Sequence, residues 1–487
     1  MKNKSRQHHL LLTIVVCITL ILGISFTASA AIRETDVSTA SSGNIIVFVP
    51  GEFAKAEVST ILNLVNSYRK EACQKGYPNP SNPSVPLKAS DYTEVDWSGD
   101  LEWIAQTRAA EGAVYQAHTR PNGDWCFYIQ HNGVHNRAET LAWNDGDLME
   151  GLEQWYDEKY DWVHQTPGAV TGHYTAMINP KHKYIGIGCF SSKADAWSCV
   201  AGAYSYDSNL SSTPQGIYGS CSQAMEVPVS SLNILGPSSV VIGKTASFAS
   251  LAVSFPGLTD DDMADNVTTP VLLSGTPTFT SSNSAVAPIT SDGLLSAKAL
   301  GTTTVTISYP DGTVLSKTVT ITKPLRGTAI SSGGANYKIT NQSGEVAYVK
   351  NISGGSSVAI PDSIYFSGFS YKVTSISNNA FKNNKALKTI RIGNNIITIG
   401  KNAFSGCTGL KSVTIPVNVT TIGQKAFYNC KKLKKLTIQS LKLKKGTVGS
   451  KSFAKTGIKK VKVPKARKKA YKKWLYKKGI AKKAKIK

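Results

Sequence analysis

The chain has 487 residues, with 55 Lys and Arg against 31 Asp and Glu and a net charge of +24. That length is too great for one hydrophobic core and implies about three domains. The average charge describes neither end: residues 51–228 carry 12 basic and 21 acidic side chains, whereas 431–487 carry 24 basic residues and no acid, the last acid being Asp362. An acidic front and a basic tail each need their own explanation.

The first thirty residues stand apart from the fold. Lys2, Lys4 and Arg6, an apolar run from Leu10 to Ile24 and the small residues Ala28-Ser29-Ala30 together read as a secretory signal peptide. No later stretch is long and apolar enough to span a bilayer. The expectation is an exported protein, secreted and extracellular or held at a cell surface, with no transmembrane segment. Residues 31–51 are Ser/Thr/Ala-rich and read as a linker.

Residues 52–226 read as one α+β domain. Val58, Ile61, Leu62, Val65 and Tyr68 recur at helical spacing, and the Pro/Asn loop "GYPNPSNPSVP" (76–86) ends that helix. A second helix holds Leu101, Ile104, Ala105, Arg108, Ala109 and Val114, and a third runs from Asp147 to Trp162. "HKYIGIGCF" and "WSCVAGAYSY" alternate like paired strands. Export permits disulfides, and Cys73, Cys126, Cys189, Cys199 and Cys221 lie in this region; Cys189 and Cys199 flank the hairpin and are the first expected bridge.

Residues 227–324 change to short β-branched strands broken by Ser-Asn, Asp-Gly and Leu-Gly turns, the pattern of an all-β sandwich. "TSSNSAVAPITSDGLLSAKALGTTTVTI", with turns at Gly293 and Gly301-Thr302, resembles bacterial Ig-like domains of group 2, which implies a spacer or adhesive stalk. The acidic loop "TDDDMADN" (259–266) gathers Asp260, Asp261, Asp262 and Asp265 but lacks EF-hand spacing, so a solvated loop is expected rather than a calcium site.

Residues 325–487 contain a repeat. Ala-Phe pairs fall at 380–381, 403–404 and 426–427, with Leu387, Leu410 and Leu433 following in register; Ser452-Phe453 opens a degenerate fourth copy. One such unit cannot bury its own apolar face, so the copies must stack into a solenoid. The pattern is similar to the BspA-type leucine-rich repeats of bacterial surface proteins. The final segment places Tyr471, Trp474, Leu475 and Ile480 near one helical face among lysines. It reads as a helical cap over the last apolar layer, with a lysine-rich outer face. Such charge suits anionic cell-wall or host polymers, with host surface proteins also possible; specific nucleic-acid binding is not expected.

The front domain carries the chemistry. His118 in "AHTRPNG", Glu139 in "RAETLAW", Glu158 in "WYDEKYDW" and His173 in "TGHYTAM" are its polar residues of note. His173 stands just ahead of what reads as a strand. Glu158, three residues after Trp155 and four before Trp162, flanks the buried face of its helix and must be paired, hydrated or bound. This order of residues is similar to the CAP (SCP) domains of cysteine-rich secretory proteins, antigen 5 and pathogenesis-related proteins. Gly172-His173-Tyr174-Thr175-Ala176 matches their "GHYTQ" and Ala138-Glu139-Thr140 their "GEN", with Ala138, Thr140 and Ala176 departing from the pattern. The resemblance implies an α-β-α sandwich in which His118, Glu139, Glu158 and His173 meet in an open cleft.

Two neutral imidazoles, His118 and His173, could bind a divalent metal such as zinc, with a carboxylate completing the site. An open position on that metal would permit water activation, so a metal-assisted extracellular hydrolase is the alternative to a cleft that binds a small ligand or lipid. No HExxH helix and no Ser or Cys nucleophile paired with a base is apparent. Two mutually satisfied His–Glu pairs serving only the fold are the third reading. His131, His135, His164 and His182 read as solvated. Tyr115, Trp125, Trp143, Trp155 and Tyr156 are groove candidates, though aromatics at helical spacing more often fill a core.

Overall fold

The computed structural model describes residues 31–192, 197–257, 266–341, 343–351 and 355–487. The signal segment and most of the acidic loop 259–266, including all four of its aspartates, lie outside the described residues.

The front domain is built on a seven-stranded sheet. Its strands are β1 (Ala31–Arg33), β2 (Asn44–Phe53), β3 (Asp96–Trp97), β4 (Ala138–Asn144), β5 (Tyr184–Ser192), β6 (Ser198–Ser205) and β7 (Gly219–Pro228). They run in the order β1-β7-β2-β5-β6-β4, with β3 beside β5. The linker expected at 31–51 is therefore part of this sheet: β1 pairs parallel with β7, and β2 pairs antiparallel with it. Alternation explains the placement, since Ile45, Val47 and Val49 all point into the core.

Helices cover both faces. On one side lie α1 (Val58–Lys75), α3 (Leu148–Asp157), α4 (Lys159–His164) and α5 (Gly172–Ile178); on the other lies α2 (Gly99–Val114). Ile61, Val65, Leu152, Trp155 and Tyr174 pack with Ala142, Cys189 and Val200 on the first face. Ala109, Ala110, Ala113 and Val114 of α2 pack with Leu141, Phe190 and Cys199 on the second. Helix α2 lies so close that a Cβ at Gly186 would come within 2.0 Å of the Glu102 backbone nitrogen. Glycine at that position permits the contact. The single helix expected over 147–162 is broken at Glu158, the residue shared by the end of α3 and the start of α4.

The expected Cys189–Cys199 bridge is not formed, and the seven cysteines among the described residues are all buried. Register is the reason: Cys189 pairs with Val200 and Cys199 with Phe190, so the two thiols point to opposite faces of the sheet. Burial pushes the Cys189 thiol up to about 12 and raises Cys199 as well. A thiol-trapping reagent should accordingly find Cys73, Cys126, Cys189, Cys199, Cys407 and Cys430 almost unreactive in the native protein and reactive in denaturant, a contrast read in one titration.

The next segment forms a three-stranded sheet, β8 (Leu232–Leu235), β10 (Ser250–Phe255) and β11 (Val267–Val271), in the order β8-β10-β11. A four-stranded sheet runs β9 (Ser239–Val241), β14 (Val314–Thr322), β13 (Gly301–Ser308), β12 (Thr278–Ser281). Phe248, Leu251, Val253, Leu295, Val305 and Val319 are buried in a core continuous with α2 and β7 of the front domain. Phe48 and Leu272 exchange two backbone hydrogen bonds of 2.9 Å across the junction, and Tyr115 stacks on Phe255 with ring centroids 5.0 Å apart.

The repeats stack as the periodicity requires. Tyr348, Phe381, Phe404, Phe427 and Phe453 form one column of near-parallel rings, the Phe381–Phe404 and Phe404–Phe427 centroids both 5.0 Å apart. The Phe427–Phe453 step is 5.6 Å, although three extra residues separate that pair. Each copy turns through left-handed residues, among them Asn383, Gly406 and Asn429. Asn and Gly tolerate that conformation best. Outer strands β15 (Thr389–Arg391), β16 (Ser412–Ile415), β17 (Lys435–Ile438), β18 (Lys460–Lys462) and β19 (Lys485–Ile486) follow one per layer. The last four form a parallel sheet. Helix α6 (Lys468–Leu475) buries Tyr471, Trp474 and Leu475, and the Tyr471 hydroxyl donates to the Ser440 carbonyl at 2.7 Å.

Candidate functional site

A strand, a loop, a break between two helices and a helix start deliver the four residues. Glu139 projects from β4; His118 follows α2 by a short turn; Glu158 occupies the α3–α4 break; and His173 lies in the first turn of α5. The expectation that His173 precedes a strand is thus corrected. Gly172–Ile178 is helical because the Glu158 carboxylate accepts the backbone N–H groups of His173 at 2.9 Å and Tyr174 at 3.1 Å. Those are donors that a helix start leaves unpaired.

Each histidine is held by its own carboxylate. His118 Nδ1 lies 2.8 Å from Glu139 Oε1, and His173 Nδ1 lies 2.5 Å from Glu158 Oε1. A carboxylate only accepts, so Nδ1 carries the hydrogen and the lone pair of each neutral ring stays on Nε2. The ring centroids are 6.0 Å apart, and Trp155 lies 6.5 Å from His173. His118 is the open member, its side chain 57% exposed, while the Glu139 side chain is 1% exposed.

Beneath the histidines lies an ionic network that sequence reasoning missed. Arg108 was placed only on the helical pattern of α2, yet its Nε donates to Glu139 Oε2 at 2.6 Å and its Nη1 to Glu111 Oε2 at 2.5 Å. Its Nη2 reaches the carbonyls of Ala117 and His118, at 3.1 and 3.2 Å. Arg120 continues the chain to Glu111 at 2.7 Å and to Asp36 at 2.6 Å. Burial alone would raise the Glu139 carboxyl, but the Arg108 guanidinium and the His118 hydrogen bond hold it below the usual carboxylate range. The signal was an Arg-x-x-Glu pair beside Ala105, Ala109 and Ala110 in the helix, where buried charges must be partnered.

Cys126 is the second omission. Its thiol, the His118 ring and the Glu139 carboxylate bring their ligand atoms within 4.8 Å of one another. Glu139 already accepts from Arg108 on both oxygens and from His118 on one, so it orients the ring and has no free oxygen facing an ion. Burial and the adjacent Glu139 push the Cys126 thiol up to about 12, which keeps it protonated and a poor nucleophile.

The remaining candidates separate by burial. His182 is 5% exposed, not solvated: it bonds the Ala176 carbonyl at 2.9 Å, and burial lowers its pKa. His131 stacks on Trp103 at 4.2 Å. Of the five groove aromatics, Trp155 is buried, Tyr115 stacks on Phe255, Trp143 bonds the Gly112 carbonyl and Tyr156 bonds Glu71. Trp125 is 59% exposed and neighbours Cys126 in sequence.

This sheet-and-helix arrangement with its paired His–Glu groups defines a CAP-type domain: residues 62–201 match the cysteine-rich secretory protein family. Residues 362–480 match the BspA type leucine rich repeat region in six copies, more than the four legible by eye. The chain thus joins a CAP domain to a BspA-type repeat region. Among curated relatives it is similar to Venom allergen 5 of Polistes fuscatus, 29% identical over 147 residues, which are 27% of this chain and 64% of that protein. It is also similar to Scoloptoxin SSD43 of Scolopendra dehaani, 31% identical over 122 residues, 23% of this chain and 54% of that protein. The chain spans less than two thirds of either relative. A leucine-rich repeat protein from Bacteroides capillosus is 24% identical over 28% of this chain and 98% of its own, with a TM-score of 0.25. Among the described residues no helix is long and apolar enough to cross a membrane.

Proposed function

We propose that the chain is an exported bacterial surface or matrix protein whose repeat region and basic tail bind anionic polymers or host surfaces. The CAP cleft binds a small ligand or a divalent metal. In this reading residues 227–324 are an Ig-like spacer and α6 is the cap of the solenoid. The observation that carries the reading is the absence of any acid after Asp362 in a segment whose lysines are largely exposed. A surface of that kind attracts polyanions and does so less as salt rises. Intact chain applied to bacterial envelopes should be retained at low salt and released as salt increases toward about 0.5 M, where the Debye length has fallen to about 4 Å. Retention indifferent to salt would defeat the proposal.

The cleft fits a metal in one respect. Carboxylate-held Nδ1 atoms leave both Nε2 lone pairs free, the arrangement in which a carboxylate behind the ring orients a histidine toward a metal. His118 and His173 would hold the ion, which would supply Lewis-acid chemistry when bound. A zinc titration followed by calorimetry should give one site in the wild type and none in a His118→Ala/His173→Ala variant. Equal binding by both proteins would remove the metal from the proposal. A hydrolase would in addition need a free general base, and both cleft carboxylates already have fixed partners.

A further inference from the structure

The outer strands of the repeat region do more than carry positive charge; they order it. Lys388, Lys411, Lys434 and Lys459 stand one per layer in a single file. Each is joined to the next by a backbone hydrogen bond, 3.2 Å from Lys411 to Lys388, 3.0 Å from Lys434 to Lys411 and 2.9 Å from Lys459 to Lys434. A second file, one residue along each strand, holds Lys435, Lys460 and Lys485 in register. All seven are exposed. Val413, Leu436 and Val461 beside them point inward, with at most 3% exposure. Neighbouring strands lie about 4.8 Å apart, so each file is a row of cations at that spacing. No acid follows Asp362 in the sequence, and among the described residues no ion pair joins an acid to any of these seven lysines. Like charges directly opposite one another in a sheet repel, and a counter-charge must come from outside the chain.

The neighbours of the lysines narrow the partner. Thr389 and Ser412 complete the second file, and Thr414 and Thr437 stand two residues further along their strands, so hydroxyls are interleaved with ammonium groups. Neither file contains an aromatic side chain, and the platform on which single-stranded nucleic acid stacks its bases is missing from them. Lysine is moreover a point charge without the planar fork that reads phosphates or base edges bidentately. We propose that this face binds a linear acidic polysaccharide, laid across the strands along the lysine files, with its carboxylates or sulfates on the ammonium groups and its hydroxyls on Thr and Ser. The proposal rests on the reading of the repeat region as a polymer-binding surface and assigns that binding to one face and one chemical class.

The test uses intact chain and polygalacturonate oligomers, which carry one carboxylate per sugar, with oligodeoxythymidine of equal charge as competitor. A file variant, Lys411→Gln/Lys434→Gln/Lys459→Gln, is compared with a variant that removes equal charge from the terminal segment, Lys469→Gln/Lys473→Gln/Lys477→Gln. The file variant should bind about tenfold more weakly, with its salt dependence reduced by about three released ions, and the terminal variant less than about twofold more weakly. Substitution of the same file lysines by arginine should retain most of the affinity. In the unaltered protein, bound polygalacturonate should protect Lys411, Lys434 and Lys459 from acetylation, a readout that needs no variant to fold. Equal weakening by the two Gln variants would overturn the file geometry while leaving general polyanion binding standing. Tighter binding of oligodeoxythymidine at matched salt would replace the polysaccharide with nucleic acid, and no binding of either polymer would remove both inferences.

Discussion

Arg108→Ala should be the most damaging single substitution in the front domain. The guanidinium is 1% exposed and joins Glu111 to Glu139 while tying down the carbonyls of Ala117 and His118. Its removal would leave Glu139 buried with only the His118 ring and the Cys126 thiol beside it, and breaking a buried ion pair from one side costs about 3–5 kcal/mol. Arg120 would still compensate Glu111, so the loss should concentrate at Glu139 and the His118 turn. Urea unfolding of wild type, Arg108→Ala and Arg108→Lys would check this. The lysine keeps the charge but not the fork, so it should fall between the other two. A loss below about 1 kcal/mol for the alanine variant would show that the network relaxes around the gap. The same groups set an acid limit. Glu111 and Glu139 are both held below their ordinary value of 4.5 when folded. Their contribution is therefore complete above the unfolded value and is lost as pH falls through the lower folded one. The front domain should weaken below about pH 4.5, and Arg108→Ala should flatten that dependence.

Phe427→Ala should be comparably severe in the repeats, for a different reason. Phe427 is fully buried between Phe404 and Phe453, at 5.0 and 5.6 Å. Truncating a buried phenylalanine costs about 3–5 kcal/mol. In a solenoid each layer is stabilised mainly by its neighbours, so the vacancy interrupts the coupling between the layers on either side. Hydrogen exchange should show lost protection in the layers beyond residue 427, with the front domain unaffected. Phe427→Leu, which keeps most of the volume, should lose much less. Uniform protection across the whole repeat region in Phe427→Ala would mean that the layers are not coupled through this column.

Short-range pattern and long-range geometry differ sharply in how legible they were. The repeat was readable because its period of 23 is covalent: Phe381, Phe404 and Phe427 announce a stack before any coordinate is known. Six copies match between 362 and 480, but Ala-Phe pairs mark only three of them, at 380–381, 403–404 and 426–427. In the front domain, motif residues could be named, but not what supports them. Arg108 hid among alanines on α2, and its partner Glu139 lies 31 residues away on another element. The strands at 31–33 and 44–53 looked like a linker because their shared partner β7 lies 166 to 190 residues downstream, as the pairs Phe53–Gly219 and Ala31–Cys221 show. The cysteine expectation failed on register alone, since a one-residue offset between Cys189 and Cys199 sends two adjacent thiols to opposite sides of a sheet.

The ring column also has a consequence for how such a chain can change over generations. Its first two Phe–Phe steps are equal at 5.0 Å and its third absorbs three added residues with a step of 5.6 Å. A duplicated copy can therefore be inserted without redesigning its neighbours. Each insertion lengthens the molecule by one fixed increment, as a mark lengthens a ruler, and extends every outward-facing file by one position. Reach, and the number of contacts made at once with a long partner, then become quantities set by copy number, tunable by gene duplication while the ends of the chain stay unchanged.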